Sequence, residues 1–280
     1  MIDIDEHTIT DAVLAAQQNS PSPRVQQVMA SLVRHLHDFA REVQLSEDEW
    51  FEGIRFLTRA GHITDDKRQE FILLSDVLGL STLVTAQNNV KPAGCTESTV
   101  FGPFFVEGAP RVEQGADIAN GATGTPCDVR GQVRALDGTP VAGALIDVWQ
   151  SDEEGFYDVQ RPERPGLRAR AQLASGDDGR FHFRSILAHG YPIPHDGPVG
   201  DLLTALGRHP WRPAHLHFMI QAAGFERLIT HVFRRGDGYL ESDAVFGVRS
   251  TLIADWQRHD TDADAPSHSL TYDFVLNPAR

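Results

Sequence analysis

Two histidines one residue apart, in Arg212-Pro213-Ala214-His215-Leu216-His217, are the sharpest chemical feature of the chain. Side chains two apart on a strand point to the same face, so both imidazoles can reach one metal ion. The plainer alternative is a pair of cross-strand surface histidines, and a metal site would need further ligands. A ferrous facial triad would take one carboxylate beside the two histidines. Asp147 or Asp196 can serve, which leaves that arrangement open.

Cupin-type and zinc-hydrolase sites also use a His-x-His pair. Here, however, no glutamate follows at the short cupin spacing, and no Asp-His pair follows either. Tyrosine is scarce, with only Tyr157, Tyr191, Tyr239 and Tyr272. The first two lie in unusual turn contexts, Gly155-Phe156-Tyr157-Asp158 and Gly190-Tyr191-Pro192-Ile193-Pro194. A lone tyrosine is ordinarily a half-buried packing residue whose hydroxyl finds a hydrogen bond. Its phenol ionises near pH 10, so it becomes a good ligand only beside a strong Lewis acid such as ferric iron.

Any such site must be held by the elements around it. Residues 22 to 45 place Val25, Val28, Met29, Leu32, Val33, Leu36, Phe39 and Val43 at the three-and-four spacing of one helical stripe. Ser46 followed by Glu49 predicts a capping box for a second helix through Trp50, Ile54 and Leu57, with Gly61 as its stop. Thr64 is expected to cap a third, carrying Phe71, Ile72, Leu74, Val77 and Leu78, and the run from Ser81 either continues it or begins a fourth. Beyond about Val100 the pattern changes to short β-branched runs punctuated by Asp137-Gly138, Asp178-Gly179 and Gly236-Asp237-Gly238. Seven strands are expected, over 129–135, 144–149, 167–174, 180–185, 214–220, 228–233 and 268–276. Helices followed by strands exclude a parallel βαβ fold and predict a mainly β protein. The expectation is an antiparallel β-sandwich catalytic domain over residues 99–280, preceded by an α-helical N-terminal domain over 1–98.

Composition narrows the function classes. The 25 lysines and arginines face 39 acids, a formal charge of −14 that repels nucleic acid and anionic membranes. Cys95 and Cys127 are the only cysteines, too few and too far apart for a disulfide framework or a cysteine zinc site. No apolar run has the length of a membrane span, and the N-terminus lacks signal-peptide order, so a cytoplasmic protein is expected.

The stretch Val129, Gly131, Val133, Gly138, Val141, Ile146-Asp147-Val148 and Gly155-Phe156-Tyr157 resembles the signature of the intradiol ring-cleavage dioxygenases. Tyr191-Pro-Ile-Pro-His-Asp-Gly-Pro-Val-Gly and Arg212-Pro-Ala-His-Leu-His are similar to that family's two other motifs, in the same order, and with the helical N-terminal part the resemblance spans essentially the whole chain. It implies one non-haem Fe(III) per chain, held by Tyr157, Tyr191, His215 and His217. Tyr191 and His217 would be axial, Tyr157 and His215 equatorial, and a solvent hydroxide would fill the remaining position. The resemblance further implies Tyr191 as an exchangeable ligand and base, Arg212 as a charge-stabilising guanidinium, and entry of both O2 atoms into a ring-opened diacid. Asp196 can serve as an outer partner, though Asp-Gly-Pro is equally what a tight turn needs.

The pocket residues that the resemblance assigns to substrate are Leu73, Asp76, Val100, Phe101, Gly102, Pro103, Ile193, Pro194, Arg212, His231 and Val245. Among them Leu73 with Asp76, the run from Val100 to Pro103, and Val245 resemble the hydroxyquinol-cleaving branch. Catechol-cleaving relatives more often have Pro, a Glu or Gln, Phe and Gln where this chain has Asp76, Phe101, Val245 and His231. Asp76 would accept a hydrogen bond from the third hydroxyl of benzene-1,2,4-triol. The resemblance also implies a homodimer through the N-terminal helices with a phospholipid between them. The competing expectations are catechol cleavage by the same chemistry, a ferrous oxygenase, and a non-catalytic β-sandwich carrier of small aromatics.

Overall fold

The structure is a computed structural model that describes residues 2–66, 68–161, 163, 166–260 and 266–279. Its contacts form two compact units, one ending at Thr58 and the other beginning at Arg59. The first contains α1 (Ile9–Ala16), α2 (Pro23–Glu42) and most of α3 (Glu47–Ile63). Ser22 caps α2 by accepting from the Val25 N–H at 3.3 Å, with Pro23 in the first turn, where its missing N–H costs nothing. The expected capping box is present: the Ser46 N–H donates to Glu49 Oε2 at 2.9 Å and the Glu49 N–H donates to Ser46 Oγ at 3.3 Å. Arg41 ties α2 to the first segment by donating to the Glu6 carbonyl and to Thr10 Oγ1. Of the α2 stripe only Val33 is buried. Val25, Val28, Met29, Leu32, Leu36, Phe39 and Val43 are all exposed.

In the second unit two helix punctuation marks differ from expectation. Gly61 does not stop α3, which continues to Ile63, and Thr64 caps nothing. Its hydroxyl donates back to the Ala60 carbonyl at 2.7 Å, satisfying a last-turn acceptor instead of starting a helix. The next helix, α4 (Glu70–Val77), is capped at Gln69 and so begins five residues later than Thr64 predicts. Gly79, at φ 74°, breaks the chain before α5 (Leu80–Asn88), so the run from Ser81 belongs to a separate helix.

The strands are β1 (Pro126–Ala135), β2 (Leu145–Trp149), β3 (Arg170–Ala174), β4 (Arg180–Ile186) and β5 (Tyr191–Pro192). After α6 (Pro198–Ala205) come β6 (Trp211–Arg212), β7 (His215–Gln221), β8 (Leu228–Arg234), β9 (Ile253–Ala254), β10 (Trp256–Arg258), β11 (His268–Thr271) and β12 (Phe274–Leu276). One sheet runs β10-β11-β1-β12 with β4 also on β1, and the other runs β3-β2-β7-β8-β9. Most pairs are antiparallel as expected, but β1–β11, β1–β12 and β8–β9 are parallel. The segment expected as one strand over 268–276 is two, because Asp273 turns its carboxylate in to accept the Gln132 N–H at 3.0 Å where a ladder carbonyl would otherwise serve. The helix α6 inside the β region was not foreseen either.

Alternation along the strands builds the core. Ile146, Val148, Leu173, Leu216, Phe218 and Ile220 of the second sheet meet Val129, Val133, Phe181, Phe183, Leu270 and Phe274 of the first in one buried apolar cluster. The opposite face of the second sheet therefore carries the residues between: Asp147 and Trp149 on β2, and His215, His217 and Met219 on β7.

Candidate metal centre

On that face β7 lies between β2 and β8, and the register sets Trp149, His217 and His231 side by side in one row. His215 faces Phe233. All three histidines are buried, and their ring nitrogens form a cluster able to hold a metal ion. Trp149 stacks on the His217 ring at 4.7 Å, fixing its plane. The Nδ1 of His215 lies 2.7 Å from the Pro213 carbonyl. The carbonyl can only accept, so the Nδ1 carries the proton and the Nε2 presents its lone pair to the centre.

Tyr157 and Tyr191 arrive from separate turns. The Tyr157 turn is wound around Asp152, whose Oδ1 accepts the N–H groups of Glu154 and Phe156, each at 3.0 Å. Gly155, at φ 87°, has no room for a side chain, since a Cβ there would stand 2.7 Å from the Tyr191 Cβ. The absence of that carbon lets the two tyrosine segments close on each other. Tyr157 then stacks on Phe104 at 4.4 Å. Tyr191 is placed by the two-stranded β5–β6 ribbon, directly opposite Arg212.

Four donor atoms converge as a result. Tyr157 Oη lies 2.9 Å from Tyr191 Oη and 2.8 Å from His217 Nε2, and the two Nε2 atoms are 3.1 Å apart. Ligands about 2.0–2.1 Å from a shared ion are about 3 Å from one another at the edge of a polyhedron, so the donor set fits one metal ion. Burial drives the histidines neutral: His215 is lowered to about 3, with Arg212 adding to the effect, and His217 falls well below its ordinary value. Burial likewise raises both phenols, Tyr157 the more, helped by the adjacent Tyr191. Neutral imidazoles are the ligating form, and the phenols need a highly charged cation to lose their protons.

Arg212 is buried beside the donors, with NH1 3.3 Å from His215 Nε2. Its Nε donates to Asp243 Oδ1 at 3.1 Å, and Asp243 Oδ2 accepts the Gly247 N–H at 2.9 Å. Burial is the strongest single influence and opposes the guanidinium charge, but Asp243 together with Tyr191 and Tyr157 raises Arg212. Asp243 is correspondingly lowered by Arg212 against its own burial. Asp243 is the residue that sequence reasoning missed. One acid among 39 has no local signature, and the backbone donors it accepts become visible only in the folded loop.

A cavity of about 410 Å³ opens next to these tyrosine segments, lined by Leu73, Pro103, Phe104, Phe156, Ile193 and Pro194 among others. Asp76 is buried, and burial raises its carboxyl, with Ser81 and Arg212 opposing. Val100 and Val245 are buried, Phe101 is part-exposed, and a Cβ on Gly102 would touch the His217 ring at 3.4 Å. The two candidate carboxylates for a ferrous triad stay apart from the donors. Asp147 is held by Gln172, and Asp196 is 74% exposed and paired with Arg68. Among the described residues no carboxylate joins the histidine cluster.

Residues 100–278 match the family model described as Dioxygenase, and residues 22–96 match that of the Catechol dioxygenase N terminus. The chain therefore belongs to the intradiol ring-cleavage dioxygenase family, and it is an enzyme of that class. It is 62% identical, over 99% of both chains, to the 6-chlorohydroxyquinol 1,2-dioxygenase of Cupriavidus pinatubonensis. It is 51% identical to the hydroxyquinol 1,2-dioxygenase of Nocardioides simplex, over 98% of this chain and 96% of that one. The solved hydroxyquinol 1,2-dioxygenase of Pseudomonas putida superposes with a TM-score of 0.90 at 49% identity, covering 98% of this chain and 99% of that one. Among the described residues no single helix is long and apolar enough to cross a membrane.

Proposed function

We propose that the chain is an Fe(III)-dependent dioxygenase that opens the ring of hydroxyquinol between its two adjacent hydroxyls, giving 3-hydroxy-cis,cis-muconate, the enol of maleylacetate. The observation that carries this reading is the convergence of two phenol oxygens and two imidazole nitrogens, linked by neighbour distances of 2.8–3.1 Å, in a buried site. Tyr157, Tyr191, His215 and His217 would hold one ferric ion per chain. When bound, that ion would supply the Lewis acidity that makes the electron-rich ring of an ortho-diol reactive toward O2.

The residues do the rest. Tyr191 Oη would accept a proton from one substrate hydroxyl, its phenol serving as the base. Arg212, held rigid by Asp243, places a fixed positive charge beside the reacting ring and the developing oxyanion. The Pro213 carbonyl and the Trp149 ring fix the planes of His215 and His217, and Phe104 covers Tyr157 and keeps water out. The buried Asp76 meets the third hydroxyl and sets the choice of a triol over catechol. The relatives named for hydroxyquinol and 6-chlorohydroxyquinol support the same substrate, with a ring chlorine as a tolerated variation.

The segment 1–98 is the dimerisation part and 99–280 the catalytic part in this reading. The exposed stripe of α2 forms the homodimer contact and a phospholipid lies between such helices, in a cytoplasmic enzyme. The test is O2 uptake under air with hydroxyquinol, catechol and protocatechuate added separately, alongside metal analysis. One iron per chain, a red colour from tyrosinate-to-iron charge transfer, and a kcat/KM for hydroxyquinol about ten- to a hundredfold above that for catechol are expected. A colourless protein after ferric loading sinks the iron assignment, and a preference for catechol moves the chain to the catechol branch.

A further inference from the structure

We propose that Glu70, together with Arg68, is a positioning residue that grips the segment following Tyr191 and so sets the width of the substrate cavity. The inference rests on the dioxygenase reading above. Glu70 opens α4 and is fully buried. A buried carboxylate is costly unless every oxygen is satisfied, and here each is. Oε1 accepts the Val199 N–H at 3.0 Å, and Oε2 accepts Arg68 Nε at 3.2 Å and NH2 at 3.1 Å.

The bond to Val199 solves a local problem of α6. The first N–H groups of a helix lack partners, and the cap position here is Gly197, which has no side chain to offer one. Pro198 has no N–H, so Val199 is the first donor in need, and a carboxylate from another helix supplies the cap with the favourable sign for the helix dipole. Gly197 is bare for the same reason. A Cβ there would stand 2.9 Å from Glu70 Oε1 and 2.8 Å from Arg68 NH2. Arg68 extends the grip to Asp196, reaching Oδ1 at 2.8 Å and Oδ2 at 3.1 Å.

Asp196, Gly197 and Val199 are thereby clamped to the start of α4, whose next turn carries Leu73 and Asp76. The other end of the segment is fixed by Tyr191 in the β5–β6 ribbon and by the Ile193 N–H donating to the Pro210 carbonyl at 2.9 Å. Ile193 and Pro194 line the cavity together with Leu73, and Pro194 and His195 run between the two fixed ends. None of Glu70, Arg68 or Val199 belongs to the proposed donor set; Arg68 and Asp196 themselves line the cavity, and Glu70 acts on it through them and through the segment that follows Tyr191.

The test uses the full-length iron-loaded enzyme and the Glu70→Ala, Glu70→Gln and Asp196→Asn variants. Glu70→Ala is expected to raise KM about tenfold and lower kcat/KM about a hundredfold, because small displacements of a positioning wall are costly. Amide exchange should accelerate across residues 193–199, and the tyrosinate absorption should shift. Glu70→Gln keeps an acceptor for Val199 and should recover kcat/KM to within about tenfold of wild type. Asp196→Asn touches only the exposed arm and should fall between Glu70→Gln and wild type. Wild-type KM together with wild-type exchange at 193–199 in Glu70→Ala overturns the proposal, as does a lowered Tm with kcat/KM unchanged. Should Glu70→Ala not fold, Glu70→Gln decides: faster exchange confined to 193–199 supports the grip, and unchanged exchange overturns it. Failure of the dioxygenase reading shows separately, as a wild type that takes up no O2 with any diol while the exchange data still report on the grip.

Discussion

The helix α2 and the strand β7 announce themselves by the same kind of signal, an apolar periodicity, yet they spend it in opposite ways. Every β7 residue from His215 to Ile220 is buried, with Leu216, Phe218 and Ile220 on one face and His215, His217 and Met219 on the other. On α2 only Val33 is buried, while Leu32 is 46% exposed and Leu36 54%. Periodicity therefore reports which side chains share a face. It does not report whether the chain itself supplies the cover. The second unit closes its core with its own two sheets, and the first leaves a long apolar face that a further surface can bury.

The largest effects should come from β7, where neighbouring residues face opposite ways. Phe218→Ala removes a fully buried ring from the sandwich core and is expected to cost about 3–5 kcal/mol by chemical denaturation, while iron binding survives at temperatures where the variant is folded. His217→Ala should do the reverse, leaving an iron-free protein with kcat/KM reduced at least about a thousandfold but a smaller loss of stability. Tyr191→Phe is expected to retain part of its iron while losing most turnover, since ring position survives and the proton-accepting oxygen does not. Equal iron loss in His217→Ala and Tyr191→Phe, read by metal analysis, would contradict their separate roles.

A smaller effect is expected one contact away, at Asp243. Asp243→Asn keeps the shape but removes the charge that holds Arg212, so kcat should fall about ten- to a hundredfold with KM changed less. Iron content should stay at one per chain, because Asp243 touches no donor atom of the cluster. A fall in KM-linked affinity alone, with kcat preserved, would mean that Arg212 binds substrate instead of stabilising charge that develops later.

The residues that were legible in the sequence are those whose type and spacing are both unusual. The structure brings Tyr157, Tyr191, His215 and His217 together, and it contains the stripe of α2 and the box of Ser46 with Glu49. What escaped was a choice between partners that the residue type leaves open. Thr64 has the right type to cap a helix, but the last-turn carbonyl of Ala60 claims its hydroxyl. Asp243 and Glu70 are ordinary acids in sequence, and only the fold surrounds them with the backbone donors that give them work. The ribbon of β5 and β6 is two residues on each strand, below the length at which alternation can register. The turn residues Gly197 and Pro198 do mark the start of α6, but a Gly-Pro pair marks loops equally well.

The smallest effect on catalysis, and the sharpest test of the contrast, belongs to α2. Leu32→Glu with Leu36→Glu puts two charges on adjacent turns of the exposed stripe. Neither side chain contributes to a core in the single chain, so unfolding free energy measured at low protein concentration should change by no more than about 0.5 kcal/mol. Charges are expensive where an apolar partner must be met, so a two-fold contact through this face should dissociate. Light scattering should then report a dimer for the wild type at micromolar concentration and a monomer for the double variant, with kcat/KM for hydroxyquinol within about twofold. A wild-type monomer would mean that the stripe has no partner copy, and a dimer that survives both charges would place the contact elsewhere. Large loss of activity in a dissociated variant that keeps its iron would be the most instructive failure. It would show that the helical unit, which hides so little of itself, conditions the site that the sandwich hides so completely.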